Sequence, residues 1–146
     1  MRPTFIEFFE CENILIDGLT LRNSPFWNVH PVFCRNVTLR NLNVEHGTTN
    51  DDGIDPDSCT DVLIENCTID THDDAIAIKA GRDQDAWKRP PAQNIIVRNC
   101  NLTSGVNAFC IGSEMSGDVR HVFFEKSKVA RARHGINFKC NLDRGG

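Results

Sequence analysis

Four aspartates, Asp51, Asp52, Asp55 and Asp57, fall within the eleven residues TTNDDGIDPDS that begin at Thr48, and Asp73 and Asp74 follow in DTHDDA. Carboxylates at this density can do three kinds of work. They can accept backbone N–H groups in a bend, hold a hard cation such as calcium, or divide into an acid and a base. Crowded carboxylates repel, so one pKa rises far enough to keep a proton near neutral pH. Glycoside hydrolysis uses that division: one carboxylic acid protonates the leaving oxygen and one carboxylate activates water. The two stand roughly 6.5–9.5 Å apart when the product is inverted. The calcium alternative is weaker, because DDGID resembles part of an EF-hand loop but the closing glutamate is missing. A zinc site would need paired cysteines at short spacing, and no CxxC occurs. No metal and no cofactor are expected.

Whatever these side chains do, repeating elements must place them. Five segments share one pattern: NILIDGLTL from Asn13, NVTLRNLNV from Asn36, DVLIENCTI from Asp61, NIIVRNCNL from Asn94 and HVFFEKSKV from His121. Counting each from place zero, apolar residues fall at places one and three, the alternation of a strand with one buried face. Place four is charged every time: Asp17, Arg40, Glu65, Arg98 and Glu125. Place five holds Asn41, Asn66 and Asn99, where an asparagine ladder is expected. Places six and eight turn apolar again as the chain bends. Repeats of this length, none able to bury its apolar face alone, predict an all-β chain. The expected fold is a single-stranded right-handed parallel β-helix of about five coils. A leucine-rich repeat would require a Leu-x-x-Leu-x-Leu signature and a helical segment, and both are missing.

A second strand per coil carries the chemistry. Ile54, Ile76, Phe109 and Ile136 form one expected inward column, and Pro56, Ile78, Ile111 and Phe138 another. The columns between them are expected to face solvent. Gly53, Ala75, Ala108 and Gly135 make a floor of small residues, with Trp27 at its end. Beside it run Asp55, Ala77, Cys110 and Asn137, then Asp57, Lys79, Gly112 and Lys139. Just before these strands stand Asp52, Asp74, Asn107 and His134, with Asp51, Asp73, Val106 and Arg133 one residue earlier. Adjacent strands lie roughly 4.8 Å apart, so Asp52 and Asp74 are expected to be neighbours, with Asp73 beside them. Coil two carries three extra residues in or near TTND.

Net charge of −4 and a pI near 5.7 argue against a general nucleic-acid binder. No apolar run approaches the roughly 18 residues of a membrane span, and the start MRPTFIEFFE lacks a signal-peptide layout. The chain starts within a repeat and ends at NLDRGG without a closing element. Residues 1–146 are therefore expected to be part of one β-helix catalytic domain lacking terminal coils, with exposed apolar ends, and a monomer when complete.

In order along the chain, Asn50-Asp51-Asp52-Gly53, Asp73-Asp74, Gly105-Val106-Asn107 and Asn137-Phe138-Lys139 resemble the polygalacturonase family, glycoside hydrolase family 28. Its members carry Asn-Thr-Asp-Gly, Asp-Asp, Gly-His-Gly and Arg-Ile-Lys. The flanks NSPFWNVHP, GIDPDSC, AIKAGRDQD and IGSEMSG look like the bacterial branch. The resemblance covers nearly the whole chain. It implies pectin or its galacturonan oligosaccharides as substrate and a secreted or periplasmic location. It also implies inverting hydrolysis with Asp73 as acid and Asp52 and Asp74 at the water. Substrate-binding candidates are Lys139, Asn137, Lys79, Arg82 and His134.

Three departures stand out: Val106 replaces the family His, Asn137 the family Arg, and Asp51 the family Thr. Val106 cannot hydrogen-bond, and Asn137 loses a bidentate grip on carboxylate. They motivate a second reading, a catalytically degenerate carbohydrate-binding β-helix. A third, a calcium-dependent lyase, would lose activity in chelator.

Seven cysteines follow the repeat: Cys11, Cys34 and Cys59 precede first strands, and Cys67 and Cys100 share place six. Stacked buried thiols are expected. The long loop GRDQDAWKRPPAQ could wall a cleft and show Trp87 to a sugar, or pack Trp87 against the coils.

Overall fold

The computed structural model describes residues 2–142. Its strands pair only in parallel, in register except for a shift between Leu102 and Thr103, and each pairing joins segments one coil apart. The first strands, Glu12–Asp17, Arg35–Arg40, Thr60–Glu65, Ala92–Arg98 and Val119–Glu125, form one five-stranded sheet. Short strands after the bend, from Thr20–Leu21 to Lys128–Arg131, form a second. The third runs from Ile6–Phe9 through Val29–Val32, single bridges at Ile54 and Asp57, and Ile76–Ile78 to Asn107–Ile111 and His134–Phe138. This is the right-handed parallel β-helix that the repeats predict.

Alternation explains the core. Ile14, Val37, Val62, Ile95 and Val122 stack in one register, and Val37, Leu39, Ile64, Ile95 and Val97 are wholly buried. In the third sheet Ile54, Ile76 and Phe109 are buried in the same way. Their counterparts on the last described coil, Ile136 and Phe138, are 56% and 62% exposed. On the outer face the charges at place four alternate in sign up the stack. Arg40 meets Asp17 at 2.8 Å and Arg98 meets Glu65 at 2.8 Å. Such exposed pairs add little stability, but a slip of one coil would set like charges together.

The asparagine ladder lies elsewhere than expected. Its rungs are at place zero, where Asn36 donates to Asn13 at 2.7 Å and Asn94 to Asp61 at 2.9 Å. At place five Asn41 instead bonds Asp17. What the two places share is left-handed backbone: φ is 55° at Asn41, 56° at Asn66 and 54° at Asn99, and between 54° and 59° at all five place-zero residues. Short polar side chains tolerate that conformation, whereas Cβ branching does not. Trp27 is also displaced by one residue. The Val29–Ile54 bridge sets Asn28 beside Gly53 and Trp27 beside Asp52.

All seven cysteines are free thiols, and those from Cys34 to Cys110 are buried. Burial pushes the Cys59 thiol up to about 12, so that sulfur stays protonated, and the buried cysteines pack as small apolar groups. Replacing Asn99 tests the corner geometry. Asn99→Gly should be near neutral in urea denaturation, whereas Asn99→Val should lose about 1–2 kcal/mol.

Candidate active site

Strand stacking brings Asp52 and Asp74 into one column, with the Gly53 N–H donating to the Asp74 carbonyl at 2.9 Å. Gly53 is required there, because a Cβ would stand 2.4 Å from the Ala75 carbonyl oxygen. Asp73 sits in the bend just before, half-exposed, while Asp52 and Asp74 are buried. One carboxylate oxygen from each of the three lies within 4.8 Å of the others. That is tighter than the roughly 6.5–9.5 Å of a pair placed across a sugar. A cation would fit that spacing, but ammonium groups already stand beside it. Lys139 bonds Asp74, and Lys79 lies 3.9 Å from Asp52.

The outward columns of the third sheet are buried on coils two to four, contrary to the expectation of a solvent-facing surface, whereas on coil five Gly135 is exposed and Asn137 and Lys139 are partly so. Asp55, Ala77 and Cys110 are fully buried and Lys79 is 3% exposed. The segment after coil four folds back over coil three, with Ala80 donating to the Glu114 carbonyl and Gly117 to that of Ala80, both at 2.7 Å. Glu114 then takes a hydrogen bond from Lys79 at 3.1 Å. The same ammonium stands 4.5 Å from the Trp27 ring centroid and 4.0 Å from Asp55. Lys79 is therefore committed to this internal cluster.

Environment separates the acids. Burial pushes Asp52 up to about 7; the charges of Asp73 and Asp74 add to it, and Lys79 opposes it. Asp55 is raised well above the usual range, by burial first and then by Asp52. Neither of its oxygens has a hydrogen-bond partner among the described residues, and the Lys79 ammonium at 4.0 Å is the cation that faces it. Burial pulls Lys79 down, but the carboxylates of Asp55, Asp52 and Glu114 more than reverse this.

Asp51 answers differently from its neighbours. Fully buried, it accepts the N–H groups of His72 at 2.8 Å, Asp73 at 3.0 Å and Gly47 at 2.7 Å, and its second oxygen meets the His72 ring at 3.2 Å. It is a staple joining the bend with the extra residues to the acid-bearing bend of the next coil. The substitution for the family Thr thus adds a structural anchor. Gly105 belongs to the same packing, since a Cβ there would meet the His72 carbonyl oxygen at 2.1 Å.

The remaining candidates divide. Asn137 and His134 both reach Asn107, and Lys139 reaches Asp74. Arg82 pairs with its neighbour Asp83 on the exposed loop, where Trp87 is 64% exposed instead of packed against the coils. Sequence reasoning placed Asn107 in the right column but gave it no role. Its signal was a polar side chain where the family pattern has glycine.

Fold and site together define a class: parallel β-helices that carry a cluster of carboxylates on one face. Within it, the model of glycosyl hydrolases family 28 matches residues 1–145, and the chain belongs to that family. It is 39% identical over 149 residues to a Vitis vinifera protein named "Probable polygalacturonase", covering 99% of this chain and 30% of that one. It is 26% identical over 148 residues to an exo-poly-alpha-D-galacturonosidase of Dickeya chrysanthemi, covering 99% of this chain and 24% of that one. The crystal structure of a hyperthermoactive exopolygalacturonase from Thermotoga maritima superposes with a TM-score of 0.87 at 41% identity. That match covers 94% of this chain and 32% of the other. The chain thus spans less than a third of the length of the Vitis relative. Among the described residues no helix is long and apolar enough to cross a membrane.

Asp51→Ala should lower the unfolding free energy by roughly 2–4 kcal/mol, because three N–H groups lose a charged acceptor. Urea denaturation measures the loss, and amide exchange should quicken at His72 and Asp73. Asp52 makes a pH-dependent prediction. Its folded pKa is raised, so its stabilising contribution is full below the unfolded value near 3.8 and is lost as pH rises to about 7. Asp52→Asn should therefore raise the melting temperature relative to the parent at pH 8 and much less at pH 4.

Proposed function

We propose that this chain supplies the catalytic face of a glycoside hydrolase that cleaves α-1,4 galacturonosyl linkages in pectin or its oligosaccharides. It would act outside the cytoplasm as part of one right-handed β-helix domain. The observation that carries this reading is the trio Asp52, Asp73 and Asp74 within 4.8 Å, one member of which keeps its proton to about pH 7. The family and the names of its relatives favour a galacturonan substrate. Lys139, held on the site's edge, offers a cation to a uronate.

The roles follow from surroundings. Every contact on the Asp74 carboxylate is a donor: Lys139, the Asn107 amide and the Cys110 thiol. It is the base that takes a proton from water as the water oxygen attacks the anomeric carbon. Asp73, the half-exposed member, gives its proton to the leaving oxygen as the glycosidic C–O bond breaks. Asp52 holds the proton in reserve. This differs from the resemblance, which sets Asp52 beside Asp74 at the water; its burial favours the neutral form and argues against a second base. Inversion follows if water attacks from the face opposite the leaving group.

A binding-only reading is favoured by Val106 and Asn137, which remove a ring nitrogen and a guanidinium from the family pattern. A reducing-sugar assay on polygalacturonate separates the two. Hydrolysis by the parent should fall at least about a hundredfold in Asp73→Asn, and kcat/KM should decline above about pH 7 as the cluster loses its shared proton. Equal release by parent and variant would remove the hydrolase reading. Activity that rises through pH 7 would return Asp52 to the role of base. NMR of the fresh product reads the anomer, and early release of monomer would mark attack from chain ends.

A further inference from the structure

Asp74 ends a line of side chains that begins two coils away. Asn107, 1% exposed, donates through Nδ2 to Asp74 Oδ1 at 2.5 Å. Its own Oδ1 accepts Asn137 Nδ2 at 2.9 Å and faces His134 Nδ1 at 3.1 Å. The orientation of this amide is dictated by its partners. A carboxylate can only accept, so the NH2 group must face Asp74, and the oxygen is left for two donors on coil five. His134 accordingly carries its proton on Nδ1. The other Asp74 oxygen is taken by Lys139 and by Cys110 Sγ at 3.2 Å. With both oxygens held, the carboxylate cannot turn about its Cβ–Cγ bond.

The family pattern has Gly-His-Gly where this chain has Gly105-Val106-Asn107, and Arg where it has Asn137. An amide has thus appeared where the pattern has no side chain, beside a residue that lost its hydrogen-bonding group. The residue that replaced the Arg is the one that fixes that amide. We propose that Asn107, locked by Asn137 and His134, is a positioning residue that aims the Asp74 carboxylate, and that the departures at 106, 107 and 137 form one compensating set. What Asp74 does rests on the hydrolase reading above; the network itself does not.

Two measurements keep the two apart. Side-chain amide NMR of the intact protein should show slow exchange of the Asn107 NH2 protons, and both Asn137→Ala and His134→Ala should speed it. On galacturonan oligosaccharides, Asn107→Gly should lower kcat about tenfold to a hundredfold with KM within about twofold. Asn107→Gly combined with Asn137→Ala should be no slower than Asn107→Gly alone, because Asn137 acts through Asn107. Should Asn107→Gly fail to fold, Asn137→Ala alone should lower kcat with KM unchanged. Additive losses, or an Asn107 amide indifferent to Asn137→Ala, would overturn the proposal. If the parent hydrolyses nothing, the hydrolase reading fails, and amide exchange still decides whether the network exists.

Discussion

In-register parallel stacking, with strands roughly 4.8 Å apart, is the constraint on which the rest of this molecule depends. It lets place one of every coil fall on place one of the next, so that a core no single repeat could close becomes continuous from Ile14 to Ile95. The same spacing forces Asp52 against Asp74. Carboxylate crowding is therefore a product of the fold, and the protein offsets it with the ammonium groups of Lys79 and Lys139. The left-handed turns at Asn41, Asn66 and Asn99 are a local condition for this register, since each lies where the chain leaves the first sheet and enters the second.

The acidic stretch from Asp51 to Asp57 shows how far chemistry depends on where a carboxylate ends up. Asp51 binds backbone, Asp52 is buried against the carboxylates of the next coil, Asp55 is sealed without a hydrogen-bond partner among the described residues, and Asp57 accepts the Gly81 N–H at 2.8 Å. Four identical side chains within seven residues thus hold four different positions in the electrostatics of the site. Water access and the number of donors around each oxygen distinguish them, and sequence proximity does not.

The architecture was legible in the sequence because period-two alternation and a recurring repeat are both written residue by residue. The aspartate columns followed from the same count. Three features were hidden. Trp27 slipped by one because coil one carries an extra residue before its second strand, which only the bridge of Val29 to Ile54 reveals. The asparagine ladder was sought at place five, although backbone conformation, not side-chain pairing, selects Asn there. Burial of the outward face on coils two to four involves Lys79 enclosed by Asp52, Asp55, Glu114 and Trp27, a tertiary event with no periodic signature. Crowding pointed to a raised carboxyl, but burial raises two, Asp52 and Asp55, and burial has no mark in the sequence.

Coil five gives Asp74 its lysine and gives Asn107 both donors, yet its inward residues Ile136 and Phe138 stand open. In a stack of this kind each coil is held by its neighbours, so the order of one coil depends on the next. Loss of that coil would free Asn107 and remove the ammonium from Asp74 while the remaining sheets stayed paired. The carboxylate cluster is thus wired to a neighbouring rung of the ladder, and how firmly that rung is held sets how much of the time the cluster is assembled.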